Sequence, residues 1–141
     1  MPSRIIHLPL LVAVFITNCS DRGDVVSASI QNSAWRLESI ESSGHTTSIP
    51  DNEPYTLHFD NDTLVSGQVH CNTYFTNYRF VLQDSIAFGP FIVTKMGCPL
   101  PSNQNEFRLA FDSANSINIS STQLRLYYQN RTKTLIFDKV M

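Results

Sequence analysis

From Ala34 onward apolar and polar residues alternate with period two along most of the chain, the signature of strands that bury one face. In Tyr55-Thr56-Leu57-His58-Phe59-Asp60 the residues Tyr55, Leu57 and Phe59 share one side, and His58 takes the other. Asp60-Asn61-Asp62 then supplies a turn and Leu64 to Tyr74 a returning strand, which together predict a hairpin. Tyr78, Phe80 and Leu82 alternate again, as do Ile86 and Phe88, with Gln83-Asp84 as the tight turn between them. Gly89-Pro90 interrupts, and Phe91 to Met96 continues as an edge or bulged segment. One stretch breaks the period: Asn103 and Glu106 have capping-box spacing, and Phe107, Ala110, Phe111 and Ala114 recur at helical intervals. This predicts a helix near 104–113 whose apolar face lies against the sheet, since nothing else is available to cover it. Beyond it come Ile117 and Ile119, then Leu124 to Tyr128, a polar turn over 129–132, and Lys133 to Asp138 with Leu135 and Phe137 on one face. Seven to eight strands and a helix predict a mainly β fold with one short helix, arranged as a small curled antiparallel sheet or barrel.

The residues before Ala34 have a different character. Ser20 to Ser33 is polar, as suits a tether, and residues 1–18 read as a secretory signal: Arg4, an apolar run from Ile5 to Ile16, then a polar exit. A run of this length is too short to span a bilayer, which takes about 20 apolar residues. Ile16-Thr17-Asn18-Cys19-Ser20 resembles the lipobox of bacterial lipoproteins, with an aliphatic residue three positions before the cysteine that becomes the acylated N-terminus. The resemblance implies lipidation of Cys19 and, with Ser20 next to it, an outer-membrane address facing the periplasm. Asn18 departs from the small residue usual at its position. Cleavage after Ala28, following Val26-Ser27-Ala28, is the alternative and would leave a soluble periplasmic or secreted protein. The expected organisation is a signal over 1–18, a tether over 19–33 and a single domain over 34–141.

Composition narrows the picture. At 141 residues, 42% hydrophobic and 16% charged, the chain has room for one domain with a core and none for a second. A net charge of −2 lacks the basic excess of a nucleic-acid binder, so no nucleic-acid partner is expected. The cysteine count is odd, at 3. Lipidation would consume Cys19 and leave Cys71 and Cys98 as an even pair in an oxidising compartment, where they would form a disulfide. The other reading of that pair is two buried free thiols.

The chain offers little catalytic vocabulary. Metal-ligand spacings, a G-x-S-x-G elbow and phosphate-binding glycine loops are all missing from the sequence. His70 and Cys71, taken as strand neighbours, point to opposite faces and cannot share an ion. No metal and no cofactor is therefore expected. His45, His58 and His70 read as surface histidines, and Arg125, Tyr127, Tyr128, Arg131 and Lys133 as the exposed face and turn of a hairpin that could otherwise grip a polyanion. Asn72 is the polar residue of most interest: a short side chain with two donors and an acceptor, suited to tying backbone groups together at a bend.

Several of these residues fall into a pattern. Trp35-Arg36-Leu37 opens the domain; Gly67 precedes Cys71-Asn72-Thr73-Tyr74 by four residues; Tyr78 follows; then come Thr94-Lys95-Met96-Gly97-Cys98, Glu106-Phe107 and Leu124-Arg125-Leu126. The chain resembles the META domain family, which includes the HslJ-like heat-inducible envelope proteins, and the Cys-Asn-x-Tyr and Thr-x-Met-x-Cys pieces are the specific part of the match. His70 and Thr76 stand where the family usually has glycine, a residue that permits positive φ or close backbone approach. The resemblance implies a compact β fold of lipocalin-like topology and no catalytic residues. It makes Trp35, Leu37, Gly67, Asn72, Tyr74, Tyr78, Thr94 and Met96 structural motif positions. The expected function is accordingly that of a lipid-anchored envelope protein, stress-related or serving as an interaction module, whose protein or ligand partner is unknown. Carriage of a small apolar ligand inside the barrel is the alternative, with an enzyme third.

Overall fold

The computed structural model describes residues 30–141. Cys19 and the expected signal peptide lie outside the described residues. The fold contains β1 (Ser33–Ser42), β2 (His45–Ser48), β3 (Thr56–Phe59), β4 (Leu64–Val69), β5 (Asn72–Leu82), β6 (Ser85–Phe88), β7 (Ile92–Val93), a helix α1 (Gln104–Ser113), β8 (Ala114–Ile119), β9 (Gln123–Tyr128) and β10 (Lys133–Lys139). These strands form a mainly antiparallel sheet in the order β6-β5-β4-β3-β1-β10-β9-β8, with β2 added to β1 and β7 to β5. The two ends of the sheet curl until they meet: Ile117 N–H donates to the Asp84 carbonyl at 2.9 Å, and Ser85 Oγ to the Asn115 carbonyl at 3.1 Å. The result is a sheet nearly closed into a barrel, as the alternation predicts.

The expected hairpin of Tyr55 to Phe59 forms, with Tyr55, Leu57 and Phe59 fully buried and His58 exposed. α1 covers the expected residues and buries Phe107, Ala110 and Phe111. It sits within the curl rather than on its outside. Phe107 meets Tyr55 at 5.1 Å between ring centroids, Tyr74 of β5 at 5.7 Å and Phe137 of β10 at 6.3 Å, so one ring touches both walls. Phe111 reaches Phe88 of β6 at 4.7 Å. Trp35, Leu37, Leu124, Leu126 and Leu135 complete a continuous core.

Four expectations need correction. The run Leu64 to Tyr74 is not one strand: it turns at His70-Cys71 into β4 and β5, which pair with each other from Val69↔Asn72 to Leu64↔Asn77. The buried residues record this turn, because Val65 and Val69 face inward at odd positions and Tyr74 and Tyr78 at even ones. Leu82 does not continue the inward face of Tyr78, since the register slips between Phe80 and Leu82 and leaves Leu82 exposed. The capping box does not form: Asn103 makes no side-chain cap, and Glu106 turns to Tyr128 and Lys133 instead. Finally, the folded unit starts before Ala34. Ile30 is fully buried, and Ser33 Oγ donates to its carbonyl while accepting from Trp35 Nε1 at 2.8 Å.

Candidate functional site

The residues of the sequence pattern converge at one end of β5. Cys71 and Cys98 are joined by a disulfide, with Cα atoms 5.6 Å apart. Next to it Asn72 is buried and fully committed. Its Oδ1 accepts from the Met96 N–H at 2.7 Å and from Thr94 Oγ1 at 2.9 Å; its Nδ2 donates to the Met96 carbonyl at 3.2 Å. Asn72 thus holds both backbone groups of Met96, and the Met96 side chain points out to solvent. Its amide is suited to this because a short side chain carrying both donor and acceptor can imitate a strand neighbour. Thr94 adds a direct tie to β5, its N–H donating to the Thr73 carbonyl at 3.0 Å.

His70 occupies the turn between β4 and β5 with φ of +58°, the left-handed conformation that glycine adopts without cost. Contrary to the surface reading, it is buried, and its Nε2 lies 3.1 Å from the Pro99 carbonyl. The imidazole thereby pins the segment after Cys98. Thr76, the other position where the resemblance implies glycine, sits in ordinary strand and donates its hydroxyl to the Gly89 carbonyl at 3.0 Å. Gly67 is required for a different reason. A Cβ there would stand 2.1 Å from the Thr56 carbonyl oxygen and 3.0 Å from the Tyr74 ring. That space is used by Tyr74, whose hydroxyl donates to the same Thr56 carbonyl at 2.8 Å. Burial pushes the Tyr74 hydroxyl well above the usual phenol range, with Asp60 adding to the effect.

Other motif residues are structural and lie away from this cluster. Trp35 and Leu37 are buried in β1, and Tyr78 donates to the Asn61 carbonyl at 2.7 Å, closing the β3–β4 turn. Residues that the sequence pattern did not single out complete the site. Glu53 is buried and bridges to the start of α1: Oε1 accepts from Tyr55 Oη and from the Asn103 N–H at 2.5 Å, and Oε2 from Asn103 Nδ2 at 3.3 Å. A carboxylate at this end of a helix is favoured by the helix dipole. Its only trace in the sequence is Glu53 next to Pro54 before a strand, which is too common to read.

The basic and aromatic cluster is not a free cationic face. Tyr128 is buried, correcting its reading as exposed, and donates to Glu106 Oε1 at 2.6 Å; Lys133 Nζ donates to the same oxygen at 2.7 Å. Arg125 lies 3.8 Å from Glu41 and Arg131 3.8 Å from Asp84. Among the described residues, no group of three or more His, Cys, Asp or Glu is placed to hold a metal ion.

The Glu106 pairing has a pH consequence. Burial alone would raise its pKa, but the hydrogen bonds from Lys133 and Tyr128 and the charge on Lys133 outweigh burial and hold it below the ordinary glutamate value. A lowered folded-state pKa contributes stability that is complete above the unfolded value, about 4.3, and is lost as pH falls through the folded value. Urea unfolding between pH 3 and 6 is therefore expected to show a midpoint that drops below about pH 4.3, with a shallower drop in Glu106→Gln. Equal slopes in the two proteins would contradict the assignment.

Asn72→Ala removes the hydrogen bonds to the Met96 N–H, the Met96 carbonyl and the Thr94 hydroxyl, each worth about 0.5–1.5 kcal/mol, together with the contacts of Nδ2 to Cys98 Sγ and Gln104 Oε1, and leaves the Met96 N–H without its acceptor. A loss of about 2–3 kcal/mol in denaturant unfolding is expected, together with fast hydrogen exchange at Met96. A variant that keeps the wild-type midpoint would show that Asn72 does not hold the loop.

The geometry and sequence agree with a family model for the META domain, which matches residues 28–140. The chain belongs to the META domain family. The META domain here is similar in fold to an NMR structure of a protein from Burkholderia xenovorans, at 20% identity and a TM-score of 0.67, covering 100% of this chain and 99% of that one. It is also similar to a crystal structure of a DUF4847-family protein from Bacteroides vulgatus, at 15% identity and a TM-score of 0.61, covering 80% of this chain and 96% of that one. At these identities the likeness is one of fold. No curated protein matches the chain. The family match begins at residue 28, in keeping with the burial of Ile30.

Proposed function

We propose that the protein is a lipid-anchored envelope protein whose META domain acts by binding rather than by catalysis, in a stress-related or interaction role. The observation that carries the reading is the state of the interior. Trp35, Tyr55, Phe59, Phe107 and Phe137 are all at most 1% exposed and, with Tyr74 and Phe111, fill the curl of the sheet from wall to wall. Carriage of an apolar ligand would need volume inside the barrel, and the rings of α1 occupy that volume. What the domain presents is its surface: the loop from Thr94 to Pro99, fixed by the disulfide and Asn72, and the grooves beside it.

The lipid anchor rests on Cys19 and its flanking residues. Acyl chains contribute about 0.8 kcal/mol per buried CH₂, so two or more hold a protein to a bilayer, which a polar tether does not. Cys19→Ala is expected to move the protein from the membrane to the soluble periplasmic fraction and to abolish labelling by a fatty-acid probe. If the unaltered protein takes up no label and is soluble, the anchor is wrong. The alternative cleavage after Ala28 would then be read from the mature N-terminus.

A further inference from the structure

We propose that the groove between β7 and the first turns of α1 binds an extended, acidic peptide segment, which adds a strand to the free edge of β7. The proposal gives the binding reading above a partner chemistry and rests on it. The groove has a volume of about 420 Å³ and is open to solvent rather than enclosed.

Three features of its lining point to that occupant. The first is the strand edge. Among the described residues β7 pairs with β5 through Tyr74↔Val93 and Phe75↔Ile92 and along that side only. The Thr94 N–H is bonded to β5, and groups alternate in an antiparallel ladder, so Val93 turns its N–H and carbonyl to the other side, toward the groove. An extended backbone laid there can continue the sheet, and α1 forms the opposite wall. The second feature is charge. Lys95 and Arg108 line the groove and no carboxylate does, on a chain whose net charge is −2. Among the described residues Arg108 pairs only with Asp112 on the next turn, at 3.7 Å between two exposed side chains, an interaction weak enough to be exchanged for a ligand carboxylate. The third is the floor. Half-buried Phe91 and exposed Met96 offer apolar contact for side chains of a bound strand, and Met96 is 59% exposed although its backbone is held firmly by Asn72. A fixed backbone carrying an exposed, adaptable thioether is suited to contact with varied side chains.

The test titrates the purified protein with two synthetic peptides, Val-Asp-Val-Glu-Val and the same sequence with lysine at both acidic positions, followed by NMR amide shifts and fluorescence anisotropy. The acidic peptide is expected to bind and to shift the amides of Val93, Lys95, Asn105 and Arg108. Lys95→Glu and Arg108→Glu should each weaken it by roughly tenfold. Arg79→Glu, on the exposed face of β5, should not. A peptide N-methylated at alternate residues should lose binding if the strand pairing is real. Equal binding of acidic and basic peptides, no binding of either, or insensitivity to both charge reversals overturns the proposal. Shifts that map to another surface overturn it while leaving the wider binding reading in place.

Discussion

Trp35→Ala is expected to destabilise the domain by about 3–5 kcal/mol, a large share of what a domain of this size has to lose. The indole is 1% exposed and is the only tryptophan of the chain. Its Nε1 donates to Ser33 Oγ, which in turn bonds the Ile30 carbonyl, so removing the ring leaves a void and also loosens the entry of the chain into β1. β1 is the centre of the sheet, flanked by β10 on one side and by β3 and β2 on the other. The loss should therefore appear as a cooperative shift of the whole unfolding curve rather than as fraying at an edge. Far-UV circular dichroism in urea measures it without relying on the fluorophore that the substitution deletes. Trp35→Phe, which keeps most of the volume and loses the hydrogen bond, should lie between the two. A loss below about 1 kcal/mol in Trp35→Ala would mean that the site collapses around the void, and would refute the central role given to this residue.

The parts of the fold that were legible from the sequence are those in which a residue's side-chain chemistry decides its place. Leu57 and Phe59 alternate with exposed His58, and Phe107, Ala110 and Phe111 recur at helical spacing, so the first hairpin and α1 could be read directly. β2 could not. His45 to Ser48 is exposed at every position and pairs with β1 through its backbone, which leaves no mark in the pattern of apolar residues. The turn at His70-Cys71 was hidden for a related reason: the apolar positions continue on both sides of it, and only the change from odd to even parity between Val69 and Tyr74 betrays the reversal. The positive φ of His70 is the conformation that the expectation of glycine at that position anticipates. The expected capping box failed because tertiary partners outbid a local motif, with Lys133 and Tyr128 taking Glu106 and Glu53 taking the end of the helix. At the candidate site, the role of Asn72 was legible from its chemistry. Lys95, Gln104, Asn105 and Arg108 were not, because the groove they line exists only once α1 is folded against β7.

The second large effect expected is that of the disulfide. Thiol titration of the unfolded, unreduced protein should find no free sulfhydryl at Cys71 or Cys98, and reduction should lower stability by about 3–4 kcal/mol, the value for closing a loop of roughly 28 residues in the chain-entropy model. Two reactive thiols at these positions would refute the pairing. The more informative outcome is what reduction does to the loop itself. In that model the crosslink acts mainly on the unfolded chain, whereas Asn72 acts on the folded one, through the N–H and carbonyl of Met96. Reduced protein under native conditions should therefore keep slow hydrogen exchange at Met96 relative to Asn72→Ala, even though its global stability falls by more. Exchange at Met96 that becomes fast on reduction alone would show that the disulfide, and not the asparagine, positions the loop. The groove beside β7 would then depend on the redox state of Cys71 and Cys98, because Lys95, Met96 and Gly97 form one of its walls.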